Sequence, residues 1–139
     1  MDKAVFSFGI CSLELFDFSH YPAEAAAGNP YNTGFQMRVR SEEHFTGQGV
    51  WECDIAEFRV FVRELEEMAR FRRTAAELLD IGYASRVRFQ MDRLGHIKVD
   101  GTIYGSGRVQ SVTFEWRADQ TALGPFLKGL TKLLETAGG

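Results

Sequence analysis

At Asp54 the hydrophobic period of the chain changes from two to 3.6, so a sheet segment runs straight into a helix. Before the switch, Phe45 to Glu52 is a Gly-interrupted, Trp-bearing run that reads as a strand. After it, Ile55, Phe58, Val62, Leu65 and Met68 or Ala69 fall on one helical face, with Glu57, Arg59, Arg63, Glu64, Glu66, Glu67 and Arg70 elsewhere. Asp54 and Glu57 have the D-x-x-E form of a capping box, in which one carboxylate takes free N–H groups of the first turn and the second acid reaches back. The spacing therefore predicts a helix over residues 55–70 whose apolar stripe needs a sheet to cover it.

A second helix is predicted near the end of the chain. Leu123, Phe126, Leu127, Leu130, Leu133 and Leu134 share one face, and Lys128, Lys132 and Glu135 lie outside it. Pro125 suits a first helical position, because its missing N–H would be unpaired there, which makes Gly124 the expected cap. Gly138 and Gly139 are the expected stop.

Period-two runs fill the rest. Val5 to Phe8 and Ser12 to Phe18 are separated by Gly9; in the second, Leu13 and Leu15 are out of phase with Phe16 and Phe18, which calls for a bulge near Leu15 or two buried faces. From His20 to Thr33 the pattern dissolves into a Pro/Gly/Ala-rich connection with room for one helical turn, simplest as a tolerated surface insertion. Phe35, Met37 and Val39 alternate with Gln36, Arg38 and Arg40 before a turn at Ser41 to Glu43. Gly47 and Gly49 in the following strand allow a bulge or a close backbone approach. Residues 74–80 read as a short helix or an apolar tether. Residues 86–117 read as a three-stranded meander, with Val112, Phe114 and Trp116 facing inward.

With 139 residues the chain is one domain, residues 1–139, able to bury roughly 70% of its unfolded surface. The expected fold is α+β: one twisted, largely antiparallel sheet of about six or seven strands, with both amphipathic helices on one face.

Chemistry is sparse. A net charge of −3 does not suit a general nucleic-acid binder, whose affinity comes from neutralising phosphates, so no direct nucleic-acid partner is expected. No apolar stretch approaches the length of a membrane span and no leader pattern opens the sequence, which makes the cytoplasm the expected compartment and excludes a membrane partner. Cys11 and Cys53 are compatible with one disulfide or with two buried thiols, the simpler reading. His20, His44 and His96 lack ligand spacing, no nucleophile elbow or phosphate loop occurs, and Gly101-x-x-x-Gly105-x-Gly107 reads as a hairpin. No catalytic residue, cofactor or metal is expected. The acidic positions Glu42, Glu43, Glu64, Glu66 and Glu67 remain as candidates for meeting a basic partner. A concave sheet face lined by Phe16, Trp51 or Trp116, holding a small ligand, is the alternative.

Three pieces of the sequence resemble a bacterial family of immunity proteins that neutralise wall-associated-protein (WapI-like) contact toxins. They are Phe45, Gly47 and Trp51 leading through Asp54-Ile55 to Phe58 and Leu65; Gly95-His96-Ile97-Lys98-Val99-Asp100-Gly101; and Phe114-Glu115-Trp116 before Asp119-Gln120-Thr121 and Leu123. The resemblance implies a small intracellular, non-enzymatic protein that binds the toxic C-terminal domain of a cognate polymorphic toxin, typically a nuclease. It transfers no interface residues: Asp119, Gln120 and Thr121 look like scaffold, with side-chain oxygens suited to capping a turn.

Overall fold

The computed structural model describes residues 2–137, so the expected stop at Gly138 and Gly139 lies outside the described residues. Eight strands form two four-stranded antiparallel meanders, not one sheet of six or seven strands. The first is β1 (Lys3–Phe8), β2 (Cys11–His20), β3 (Thr33–Glu42) and β4 (Phe45–Cys53); the second is β5 (Ala75–Leu79), β6 (Arg86–Met91), β7 (His96–Tyr104) and β8 (Ser111–Asp119). A one-turn helix, α1 (Pro22–Ala26), interrupts the β2–β3 connection; α2 (Ile55–Ala69) follows the first sheet and α3 (Leu123–Thr136) the second. Four strands and a helix thus occur twice.

The helices do not share one face of a single sheet. Each crosses to the other half: α2 packs on β5 and α3 on β1. A chain of ring contacts shows how the pieces lock together. Trp51 stacks on Phe35 (centroids 6.0 Å apart), Phe35 meets Phe58 of α2 (5.6 Å), Phe58 meets Phe61 (6.5 Å), and Phe61 reaches Phe89 of the second sheet (5.9 Å). Phe89 then stacks on Phe126 of α3 (5.8 Å), which meets Phe6 of β1 (5.6 Å). Each helix therefore touches both sheets, and the aromatic spine makes them one core.

Glycines set the closest approaches. A Cβ on Gly47 would lie 2.0 Å from Val112 Cγ1, and one on Gly49 would lie 2.6 Å from Ile103 Cγ2, so the close-approach reading of these two residues is the right one: they let β4 meet the rim of the second sheet. Gly129 lets α3 sink onto β1, where a Cβ would be 2.7 Å from Ala4 Cα.

Some local expectations were met with shifts and others were overturned. The bulge of β2 falls between Phe16 and Ser19 instead of near Leu15, with Asp17 at a positive φ of 53°, and it turns Phe18 into the core against Phe35 and Phe58. Residues 75–79 form a strand, not a helix or tether. Ala76 and Leu78 are buried while Glu77 and Leu79 are exposed, so pairing with β6 overrides the helix preference of Ala, Glu and Leu. α3 begins at Leu123, before Pro125; the lead-in is a 3-10 turn over Gln120–Ala122, with Asp119 accepting from Thr121 N at 3.0 Å in place of a Gly124 cap. Gly105 leads into another short 3-10 turn, Ser106–Arg108, which closes the β7–β8 hairpin.

Candidate functional site

A groove of about 590 Å³ lies between α2 and β5. Its helix wall carries Glu57, Val60 and Glu64, spaced three and four residues apart so that they line one face. The other wall is β5 with Ile81 beyond it, and Pro30, Cys53 and Asp54 close one end. Arg73 stands at the opposite end of β5.

The ends of the groove are built from hydrogen bonds that the sequence did not announce. Asn32, 1% exposed, accepts from Ile55 N through Oδ1 (2.8 Å), and its backbone carbonyl accepts from Tyr21 N (2.8 Å). Asp54 caps α2 as expected, accepting from Ala56 N at 2.9 Å, but the Ile55 N–H belongs to Asn32. The connection over residues 20–33 is therefore pinned to the start of α2, and is not a loose insertion. Asp80, 3% exposed, accepts from three backbone N–H groups, Glu52 (2.8 Å), Gly82 (3.1 Å) and Tyr83 (2.9 Å). With Ile81 N donating to Glu52 O (2.9 Å), it ties the end of β4 to the turn after β5.

β5 is an edge strand. Met91 N donates to Thr74 O and Asp80 N to Ser85 O, so even-numbered residues face β6. The backbone groups of Ala75, Glu77 and Leu79 therefore point away from the sheet, along the groove. Two of them are occupied by side chains. Arg73 Nε donates to Ala75 O (2.9 Å), and Glu77 N donates weakly to Glu64 Oε1 (3.4 Å). A 2.7 Å ion pair joins Arg73 to Glu64, and Glu67 lies 3.8 Å from the same guanidinium.

Of the five acids singled out from the sequence, Glu64 and Glu67 come together on Arg73, Glu66 is exposed on α2, and Glu42 and Glu43 sit apart at the tip of the β3–β4 hairpin. The nine residues of β4 separate that tip from α2 by about 30 Å of strand. The acids are not one patch. Asp54, Glu57 and Glu77, which share the groove with Glu64, were not singled out, and neither was Arg73. The aromatic concavity does not form: Trp51 and Trp116 are core residues, and Phe16 lies beneath the Arg38 guanidinium, 4.6 Å from its ring centre.

Cys11 and Cys53 are both free thiols. Cys11 donates to Ser41 O at 2.8 Å. Cys53, 1% exposed, has its pKa pushed up to about 12, first by burial and then by the charges of Asp54, Asp80 and Glu57. It holds its proton at neutral pH, the reverse of an activated nucleophile. The folded state keeps this proton where an unfolded thiol, near 9, has lost it, so its contribution to stability is complete below pH 9 and drains away between pH 9 and 12. Urea denaturation across that range is expected to give a shallower alkaline decline in Cys53→Ala than in the parent. Equal slopes would remove Cys53 as the cause.

Among the described residues no cluster of three or more His, Cys, Asp or Glu side chains is placed to hold a metal, and no helix is long and apolar enough to cross a membrane. No family profile and no curated protein matches the sequence. Among solved structures, the MRP1/MRP2 proteins of a trypanosome resemble the chain with a TM-score of 0.53 over 99% of its length and 84% of theirs, at 12% identity. At that identity the likeness concerns the fold alone.

Proposed function

We propose that the protein is a non-enzymatic immunity or inhibitor protein that binds the toxic C-terminal domain of a cognate bacterial contact toxin through the α2–β5 groove. The observation that carries this reading is the composition of the groove: three carboxylates, Asp54, Glu57 and Glu64, and one guanidinium, Arg73, line it around an apolar strip of Val60, Leu79 and Ile81, while the Glu77 carboxylate on the same strand is paired with Arg86 at 3.8 Å. Such a surface favours a basic polypeptide, since complementary potential speeds encounter and disfavours acidic competitors. Nucleases that act on polyanions carry basic surfaces for the same electrostatic reason. The segments that resemble the immunity family support the reading from another side. Trp51 lies in the core, the Gly95-to-Gly101 stretch enters β7 and Asp119 caps a turn, so these resembling residues are scaffold, whereas Asp54, which also carries the resemblance, borders the groove.

The test reads the open reading frame upstream and, where it encodes a large secreted protein, co-expresses that protein's C-terminal domain with this chain. A stable complex and protection of the host are expected. Glu64→Lys combined with Glu67→Lys is expected to weaken the complex by about tenfold or more, with the salt dependence reduced. The same double variant should melt close to the parent, because exposed ion pairs contribute about 0–1 kcal/mol each. Absence of any complex, with no protection of the host, overturns the reading.

A further inference from the structure

Why a groove lies beside β5 while its counterpart β1 is covered follows from one helical position. In α2 and α3, Phe58 matches Phe126, Val62 matches Leu130 and Leu65 matches Leu133; in that alignment Phe61 stands where α3 has Gly129. Gly129 brings α3 down onto the backbone of β1 at Lys3 and Ala4. Phe61 instead spends its ring on Phe89, the residue paired with Ala76 of β5, and so props α2 away from the strand. The gap it leaves runs along a sheet edge.

We propose that this edge takes an extended, basic segment of the partner as a further strand, pairing with Glu77 and Leu79. The inference rests on the protein-binding reading above and names how that partner is held. Three features argue for it. First, among the described residues the Glu77 carbonyl and both backbone groups of Leu79 have no hydrogen-bond partner, and they face the groove. Exposed edges are usually covered or blunted, because they are templates for another strand. Second, Arg73 and Glu64 already occupy Ala75 O and Glu77 N as a neighbouring strand would, marking where main-chain pairing begins. A cation on the incoming segment can take over Glu64 from Arg73. Third, Val60, Leu79 and Ile81 are 39%, 52% and 41% exposed and offer apolar contacts, while Asp54 and Glu57 add negative charge, with Glu77 shared with Arg86 at 3.8 Å. Alternating apolar and basic side chains therefore fit, as in other strand-addition interfaces. A second copy of the same strand fits poorly, because Glu77 would face a groove that is already acidic.

The experiment uses the whole protein and a synthetic peptide of about eight residues alternating Val and Lys, long enough for an ordinary strand. Two controls accompany it: the same peptide with alternate backbone nitrogens methylated, and a Val/Glu version. Amide exchange and NMR shifts are expected to localise the Val/Lys peptide to residues 75–81 and to the Glu57–Glu64 face of α2, with both controls at least about tenfold weaker. In the protein, Leu79→Pro deletes one outward-facing N–H at an edge position that tolerates proline, and it is expected to cost a similar factor while leaving the melting curve intact. Arg73→Ala, which frees the edge, is expected to bind as well as the parent or better. Binding that maps elsewhere, that survives N-methylation or Leu79→Pro, or that is not seen at millimolar peptide overturns strand addition. If the upstream toxin domain fails to associate but the peptide behaves as described, the toxin reading falls and the edge site stands. If the toxin domain binds without protecting residues 75–79, the site falls and the reading stands.

Discussion

Gly101→Val is expected to leave no cooperatively folded protein. Gly101 is buried in the middle of β7, paired with Val87 on one side and Phe114 on the other. A Cβ there would lie 2.1 Å from the Arg86 carbonyl oxygen and 3.0 Å from Val87 Cα. Both are backbone atoms of the adjacent strand, so no side-chain rotation relieves the clash. Relief requires pulling β6 from β7, which opens the second sheet across the register that aligns Val87, Phe89, Val99 and Trp116 in the core. Losses of that kind exceed the ordinary 0.5–3 kcal/mol range of single substitutions and approach the whole stability of a domain, about 5–15 kcal/mol. Soluble yield, near-UV circular dichroism and the presence of a melting transition read the outcome. Gly105→Ala is the control: its φ is −78° and an added Cβ would meet only Gln110 at 3.5 Å or more, an ordinary contact, so it should lie within about 1 kcal/mol of the parent. A Gly101→Val protein that melts like the parent would show that the two strands are not in this register.

Asp80→Ala is expected to cost about 3 kcal/mol or more, lowering the melting temperature by roughly 10 °C. The carboxylate accepts from Glu52, Gly82 and Tyr83, and it is almost wholly buried. Removing it strands three donors, those of half-buried Glu52 and Tyr83 and of exposed Gly82, and a donor left unpaired away from water costs about 1–3 kcal/mol. The damage should concentrate at the junction of β4 with the turn after β5. Amide exchange at Glu52 and Tyr83 should accelerate first, and the groove should lose the end that Ile81 forms. Asp80→Asn keeps one acceptor oxygen and should recover part of the loss. An alanine variant within 0.5 kcal/mol of the parent, the range of ordinary surface changes, would contradict this account.

The sequence disclosed what depends on neighbours along the chain. Asp54 capped the helix it was expected to cap, the stripe from Phe58 to Met68 is buried, and Val87, Phe89, Val99, Phe114 and Trp116 alternate as inward positions. It did not disclose which strands share a sheet. Alternation specifies a buried face but not the neighbour that covers it, so two sheets of four strands and one larger sheet read alike. β5 was missed because Ala75, Ala76, Glu77, Leu78 and Leu79 are all good helix formers, and only pairing with β6 makes them extended. The groove is hidden for the same reason: without β5 there is no edge, and without an edge nothing marks Arg73. Glu64 and Glu67 were selected for charge alone, and their convergence on Arg73 depends on a fold that brings residue 64 beside residue 77.

The crossing of the helices also bears on the order in which the molecule can consolidate. β1 is the earliest of the eight strands, yet its cover, α3, is the last element, so Phe6 waits for Phe126 until the entire intervening chain exists. α2 in turn needs β5, which comes after it. A nascent chain halted after Ala69 would hold a four-stranded meander and a helix with greasy flanks and no lasting partner. Ribosome-bound fragments of that length should be protease-sensitive, and resistance should arrive only once the second meander and its helix have emerged.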